Sequence, residues 1–208
     1  MEHSELFRER LARIEDKINC KTPDRVPVTS LVILFHAHYS GYTAKDIFFD
    51  YEKNRQAAVK VGKDFDFDSL GVVTGLEASF MSFYLMKNAP ELVPSARFHK
   101  LLGDVFTKWP GIELEDDLHP QFIGSEIMKV DEYDKFIADP LGFVCNEAVP
   151  RICKGLANPG SVEAGATLTK YGAELEKYGN AVTDLIMSLA QECSLPSIPM
   201  IAMHRLIS

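Results

Sequence analysis

The chain has 208 residues, 46% hydrophobic and 25% charged, the balance of a folded globular domain and not of a disordered or fibrous one. Its net charge of -8 excludes the clustered Lys and Arg excess that a nucleic-acid surface needs to displace counterions. No apolar run approaches the ~20 residues that span a bilayer, and MEHSELFRERLAR lacks the apolar centre of a signal peptide, so a membrane is not expected and a reducing cytoplasm is.

Residues 4 to 20 read as a helix. Ser4 can cap it, Glu5 suits the first turn, and Phe7, Leu11, Ile14 and Ile18 recur at helical steps until Thr22-Pro23. The run Val26 to Phe35 is apolar throughout, as in a central strand of a parallel sheet covered on both faces. Thr43 to Asp46 reads as a capping box, and a helix over about 51 to 63 places Ala57, Ala58 and Val61 on one face. A second buried strand follows at Ser69 to Val73, then a helix over Glu77 to Lys87.

Strands that alternate with helices predict parallel pairing and an α/β fold. From about 90 to 130 the prolines 90, 94, 110 and 120 predict an irregular insertion, with a hairpin near Phe98 to Thr107. Within it, Trp109-Pro110-Gly111 reads as a lid element beside a solvated acidic loop, Glu113 to Asp117. Asp131 to Asp134 caps another helix, which ends at Asp139-Pro140. Two more helices are predicted from Ser161, one stopping at Gly179 and one running from Asn180 to Cys193. Cys20, Cys145, Cys153 and Cys193 form no C-x-x-C pair and read as free, buried thiols.

His36 and His38 close the apolar run. On a strand, residues two apart share a side, so both rings could meet one metal ion, line a polar pocket, or make ordinary hydrogen bonds. Tyr39 could orient a substrate, and Glu77 stands just beyond the second strand. Further metal candidates, Glu77, His99, His119 and His204, have no diagnostic spacing. Arg25 reads as an ion-pair anchor at the start of the first strand, and Asp66 and Asp68 as solvated or structural groups ahead of the second. No glycine-rich phosphate loop follows a strand, and no G-x-S-x-G elbow is present.

An amphipathic helix, then PDRVPV, an apolar strand and HAHYSG, resembles the uroporphyrinogen decarboxylase superfamily. So does the strand in FDFDSL after a helix rich in Glu, Lys and Ala. KWPGIELEDD and the later DEYDKFIADP resemble a methyl-transfer-like branch of it, and the likeness runs from about residue 8 to residue 194.

The resemblance implies a (β/α)8 barrel with chemistry at the carboxyl ends of its strands. Such barrels need ~250 residues, so it implies one incomplete domain over 1–208, the amino-terminal half of a barrel, in a truncated reading frame ending in SLPSIPMIAMHRLIS. Chemistry implied by the resemblance is corrinoid-linked methyl transfer on a small or corrinoid-bound substrate, with zinc and corrinoid as cofactors. The alternative enzyme is a decarboxylase of tetrapyrrole carboxylates. In that family two arginines in an RQAGR-Y pattern hold carboxylates; with the tyrosine at Tyr39, Leu34 and His38 take their places. The implied substrate contacts are His36, His38, Tyr39 and Glu77, with His36 and His38 as an incomplete metal pair. A third expectation is non-catalytic: a half barrel with open sheet edges that self-associates or takes a complementing chain.

Overall fold

The computed structural model describes residues 4–72, 96–123 and 126–196, and the chain divides into two units. One comprises residues 1–95 and 177–208, the other residues 96–176.

In the first unit, Ser4 caps helix α1 (Glu5–Ile18) by accepting from the Phe7 amide at 3.1 Å, as predicted. Strand β1 (Thr29–Val32) leads to three helices, α2 (Phe35–Ser40), α3 (Ala44–Phe49) and α4 (Tyr51–Asp64), and then to strand β2 (Ser69–Val72). The predicted capping box is formed: Thr43 accepts from the Asp46 amide while Asp46 accepts from the Thr43 amide. Ile14, Ile47, Ala57, Ala58, Val61, Leu70 and Val72 make the core together with Val182, Leu185 and Leu189. Those last three belong to α9 (Val162–Glu192), which contributes residues to both units.

The expected partial barrel is not formed. The protein is mostly helical, and its described residues hold two sheets of two strands each. β1 and β2 do pair in parallel, from Thr29 opposite Ser69 to Val32 opposite Val72. However, the long apolar run supplies only four strand residues, because Leu34 already has helical backbone angles and Phe35 opens α2. Nor is the run covered on both faces: Leu31 and Ile33 are 47% and 43% exposed. Apolar composition alone does not distinguish a buried strand from the first turn of a helix.

The second unit also departs from expectation. Where a hairpin was predicted, Ala96–Leu102 forms helix α5, which buries Phe98 and Leu102 four residues apart on one side. β3 (Thr107–Lys108) instead pairs antiparallel with β4 (Gln121–Phe122). Helices α6 (Tyr133–Ala138), α7 (Pro140–Phe143) and α8 (Val149–Ile152) follow, and Asp139 caps α7 through the Gly142 amide at 2.9 Å. Arg151 ties this part together by reaching Glu132 at 2.7 Å and Glu147 at 2.8 Å. Gly179 does not end a helix. It lies within α9 and outside the left-handed conformation that a glycine stop requires. Cys153 and Cys193 are buried thiols outside any disulfide, as expected, whereas the thiols of Cys20 and Cys145 are exposed. The helix predicted over 77–87, including Glu77, lies outside the described residues.

The starts of β1 and β2 are joined by one carboxylate. Asp68 is fully buried and accepts from Arg13 at 2.8 Å, from Arg25 at 2.9 Å and from the Val28 amide at 2.7 Å. Arg13 also holds Asp24 at 2.7 Å, and its hydrogen bond keeps the Asp24 carboxyl below the usual range. Arg10, itself buried, donates to Asp66 at 2.9 Å and to the Cys193 carbonyl at 2.8 Å. Thus α1, the approach to β1, the start of β2 and the segment after α9 meet in one charged network. The structural roles predicted for Arg25 and Asp68 agree with this geometry.

Removing the charge of Asp68 leaves two guanidinium groups facing a buried, neutral side chain. Asp68→Asn is expected to lower the unfolding free energy by about 3 kcal/mol, the usual cost of breaking one side of a buried ion pair. Urea titration followed by circular dichroism measures this; a loss below about 1 kcal/mol contradicts the network's role.

Candidate functional site

The two histidines lie on α2, not on a strand. The sequence FHAHYSG closes as a helix because Gly41 adopts φ +79°, which lets the Gly41 amide donate to the His38 carbonyl at 3.1 Å and the Tyr42 amide to the Ala37 carbonyl at 2.9 Å. That pair of bonds is the Schellman closure of a helix, and it needs a residue free of a Cβ clash at Gly41. On a helix, positions two apart differ by about 200° around the axis, so the rings diverge where a strand would have aligned them.

His36 points inward and is fully buried, with Nε2 at 2.9 Å from Asn54 Oδ1. Asn54 on α4 is equally buried. With the amide oxygen accepting, Nε2 carries the hydrogen. Burial pushes the His36 pKa down, the bond to Asn54 opposes that shift, and the charge of His38 adds to it. His38 faces outward and is exposed. Of the three roles open to the pair in the sequence, His36 shows the buried hydrogen bond.

Tyr39 stands on an exposed aromatic cluster. Its ring stacks on Phe35 at 5.5 Å and meets the edge of Phe65 at 5.3 Å, and Phe65 stacks on Phe67 at 5.6 Å. The Tyr39 hydroxyl donates to Asp64 at 3.0 Å, a bond that raises its pKa. Lys60 lies 4.7 Å from the Tyr39 ring and pairs with Asp64 at 2.7 Å, which lowers the Asp64 pKa. The structure therefore brings Tyr39, Lys60 and Asp64 together, and leaves His36 behind them in the packing between α2 and α4.

Zinc does not fit this arrangement. His36 and His38 diverge, and the described residues contain no group of three or more His, Cys, Asp or Glu side chains able to hold an ion. His99 is engaged with Asp104 at 2.8 Å and His119 with the Pro120 carbonyl at 3.0 Å; Glu77 and His204 lie outside the described residues. The groove along α4 is lined by charges that satisfy each other, Lys63 with Glu192 at 2.6 Å and Lys60 with Asp64 at 2.7 Å.

Asn54 escaped sequence reasoning, although a signal existed: it lies four and seven residues before Ala58 and Val61, on the apolar stripe of α4. A polar residue on such a stripe calls for a buried partner, and His36 is that partner.

The chain matches no family model, no curated protein and no solved structure. No described helix is long and apolar enough to cross a membrane.

The lowered pKa of His36 makes a signed prediction. The unfolded chain takes up the His36 proton near pH 6.5 while the folded chain does not, so this contribution is complete above that pH and declines as pH falls. The melting temperature is expected to drop between about pH 7 and 5.5, and to drop less steeply in His36→Gln; parallel slopes in a thermal scan contradict the assignment.

Proposed function

We propose that this chain acts by association, with the outer side of β1 and the neighbouring aromatic cluster as a contact surface for a second copy of itself. The observation that carries this reading is exposure: Val26, Val28, Leu31, Ile33, Phe35 and Tyr39 are each between 40% and 80% exposed along one short stretch. Parallel sheets are normally covered on both faces, and among the described residues β1 pairs with β2 alone. An apolar surface of this kind, rimmed by charge, is the usual mark of an interaction site. The rim favours a like partner. Lys60 and Asp64 lie one turn apart on α4, so in a two-fold arrangement the lysine of one copy can face the aspartate of the other. Such a module belongs in the cytoplasm, in keeping with its free thiols.

Sedimentation velocity tests the proposal. The protein is expected to dimerise at micromolar concentration, and Leu31→Lys with Phe35→Lys to weaken the dimer at least ~100-fold while the circular dichroism spectrum is unchanged. A wild-type protein that stays monomeric at ~100 μM overturns it.

A second reading rests on the likeness of PDRVPV and DEYDKFIADP to the uroporphyrinogen decarboxylase superfamily. It makes the chain a relative of corrinoid-linked methyl-transfer proteins, with His38 and Tyr39 as the exposed polar contacts for a small or corrinoid-bound substrate. Tetrapyrrole decarboxylation has less support, because Leu34 stands where a carboxylate-binding arginine is needed. Equilibrium dialysis against cobalamin separates these readings: saturable binding weakened by Tyr39→Ala supports methyl transfer, and no binding leaves association alone.

A further inference from the structure

The second unit contains a histidine and a carboxylate joined by the way a helix ends. α5 closes at Gly103, which has φ +71°; the Gly103 amide donates to the Lys100 carbonyl at 3.3 Å and the Asp104 amide to the His99 carbonyl at 3.0 Å. In this closure the residue after the glycine folds back over the residue five before it, a place where two apolar side chains commonly touch. Here the two are Asp104 and His99, and Asp104 Oδ2 lies 2.8 Å from His99 Nδ1.

Asp104 is held firmly. Its side chain is 5% exposed, Oδ1 accepts from the Phe106 amide at 2.8 Å, and its neighbours bond to the facing segment through Val105 to Ile152 at 3.1 Å and Lys154 to Gly103 at 3.1 Å. A carboxylate only accepts, so His99 Nδ1 carries the hydrogen, and in the neutral ring Nε2 presents its lone pair. The ring is 30% exposed, and Nε2 has no hydrogen-bond partner among the described residues. Trp109, nearly buried, lies 5.4 Å from the ring and adds an apolar wall. A histidine oriented through Nδ1 by a buried carboxylate is the arrangement that prepares imidazole as a base or nucleophile.

We propose that His99 is a nucleophilic site that accepts acyl groups from uncharged, activated esters, with Asp104 as its positioning residue. The class follows from the surroundings: a bare ring nitrogen attacks an activated carbonyl, the Trp109 face suits an aryl or apolar group, and the carboxylate beside the ring disfavours an anionic phosphoryl donor. Nε2 forms the bond to the carbonyl carbon as the ester C–O bond breaks and the aryloxide leaves with the electron pair. The Nδ1 proton passes to Asp104, leaving a neutral acyl-imidazole. Water then cleaves the acyl–nitrogen bond, giving its hydroxyl to the acid and a hydrogen to the ring, and Asp104 releases its proton to solvent. This site is independent of the association surface on the first unit.

The probe is p-nitrophenyl acetate with the full chain, quenched early and read by peptide mass spectrometry. His99 is expected to be acetylated at least ~10-fold faster than the exposed His38, and His99→Gln to lose the fast phase of p-nitrophenolate release. Asp104→Asn is expected to slow acetylation at least ~10-fold, and imidazole nitrogen NMR to show the ring hydrogen leaving Nδ1. Should Asp104→Asn fail to fold, the wild-type spectrum still decides, because the proposal requires a hydrogen on Nδ1 of His99. Acetylation of His99 no faster than that of His38, or a wild-type ring hydrogen on Nε2, overturns it.

Discussion

A buried carboxylate shared by two arginines and a strand amide is the constraint on which the first unit rests. Asp68 sits where β2 begins, and its two oxygens fix the approach to β1 through Val28 and Arg25 and the orientation of α1 through Arg13. A two-stranded sheet has little stability of its own, so the strand starts need an external tie. A buried carboxylate demands charged partners, and Asp68 has them in Arg13 and Arg25, which with Arg10 also reach the largely exposed Asp24 and Asp66. The sheet is thus held at its amino-terminal end by charge and along its length by the packing of Val32, Leu70 and Val72.

At the other end of β1 the polypeptide turns into α2, and this turn decides what the two imidazoles can do. A strand would have placed His36 and His38 on one side. The helix sends one ring into the packing against Asn54 and the other to solvent. What the surface presents instead is aromatic: Phe35, Tyr39, Phe65 and Phe67 in mutual contact, with Lys60 and Asp64 beside them.

Much of the local structure was legible. Ser4, the Thr43–Asp46 box, the α4 stripe and the Asp139-Pro140 break all appear where their chemistry puts them, because capping and turn preferences act over a few residues. Gly41 and Gly103 were equally local signals. Each directly follows the last residue of a short helix and closes it in the same manner, a local signal for the ends of α2 and α5. At both positions the glycine outweighs the apolar composition before it. Gly179 shows the converse, since a glycine preceded and followed by good helix formers stays within the helix.

By itself the amino-acid sequence determined the caps, the parallel relation of the two short strands and the ionic character of the residues ahead of them. Each of these follows from chemistry within a few residues or from the simple alternation of elements. Only the tertiary structure decided that the run after PDRVPV breaks after four strand residues, that a barrel is not built, and that Asn54 meets His36. It also decided which of six aspartates and arginines share one buried centre, and that Asp104 folds onto His99. These depend on which backbone groups remain unsatisfied once distant segments pack, and that balance is struck between residues far apart in the chain.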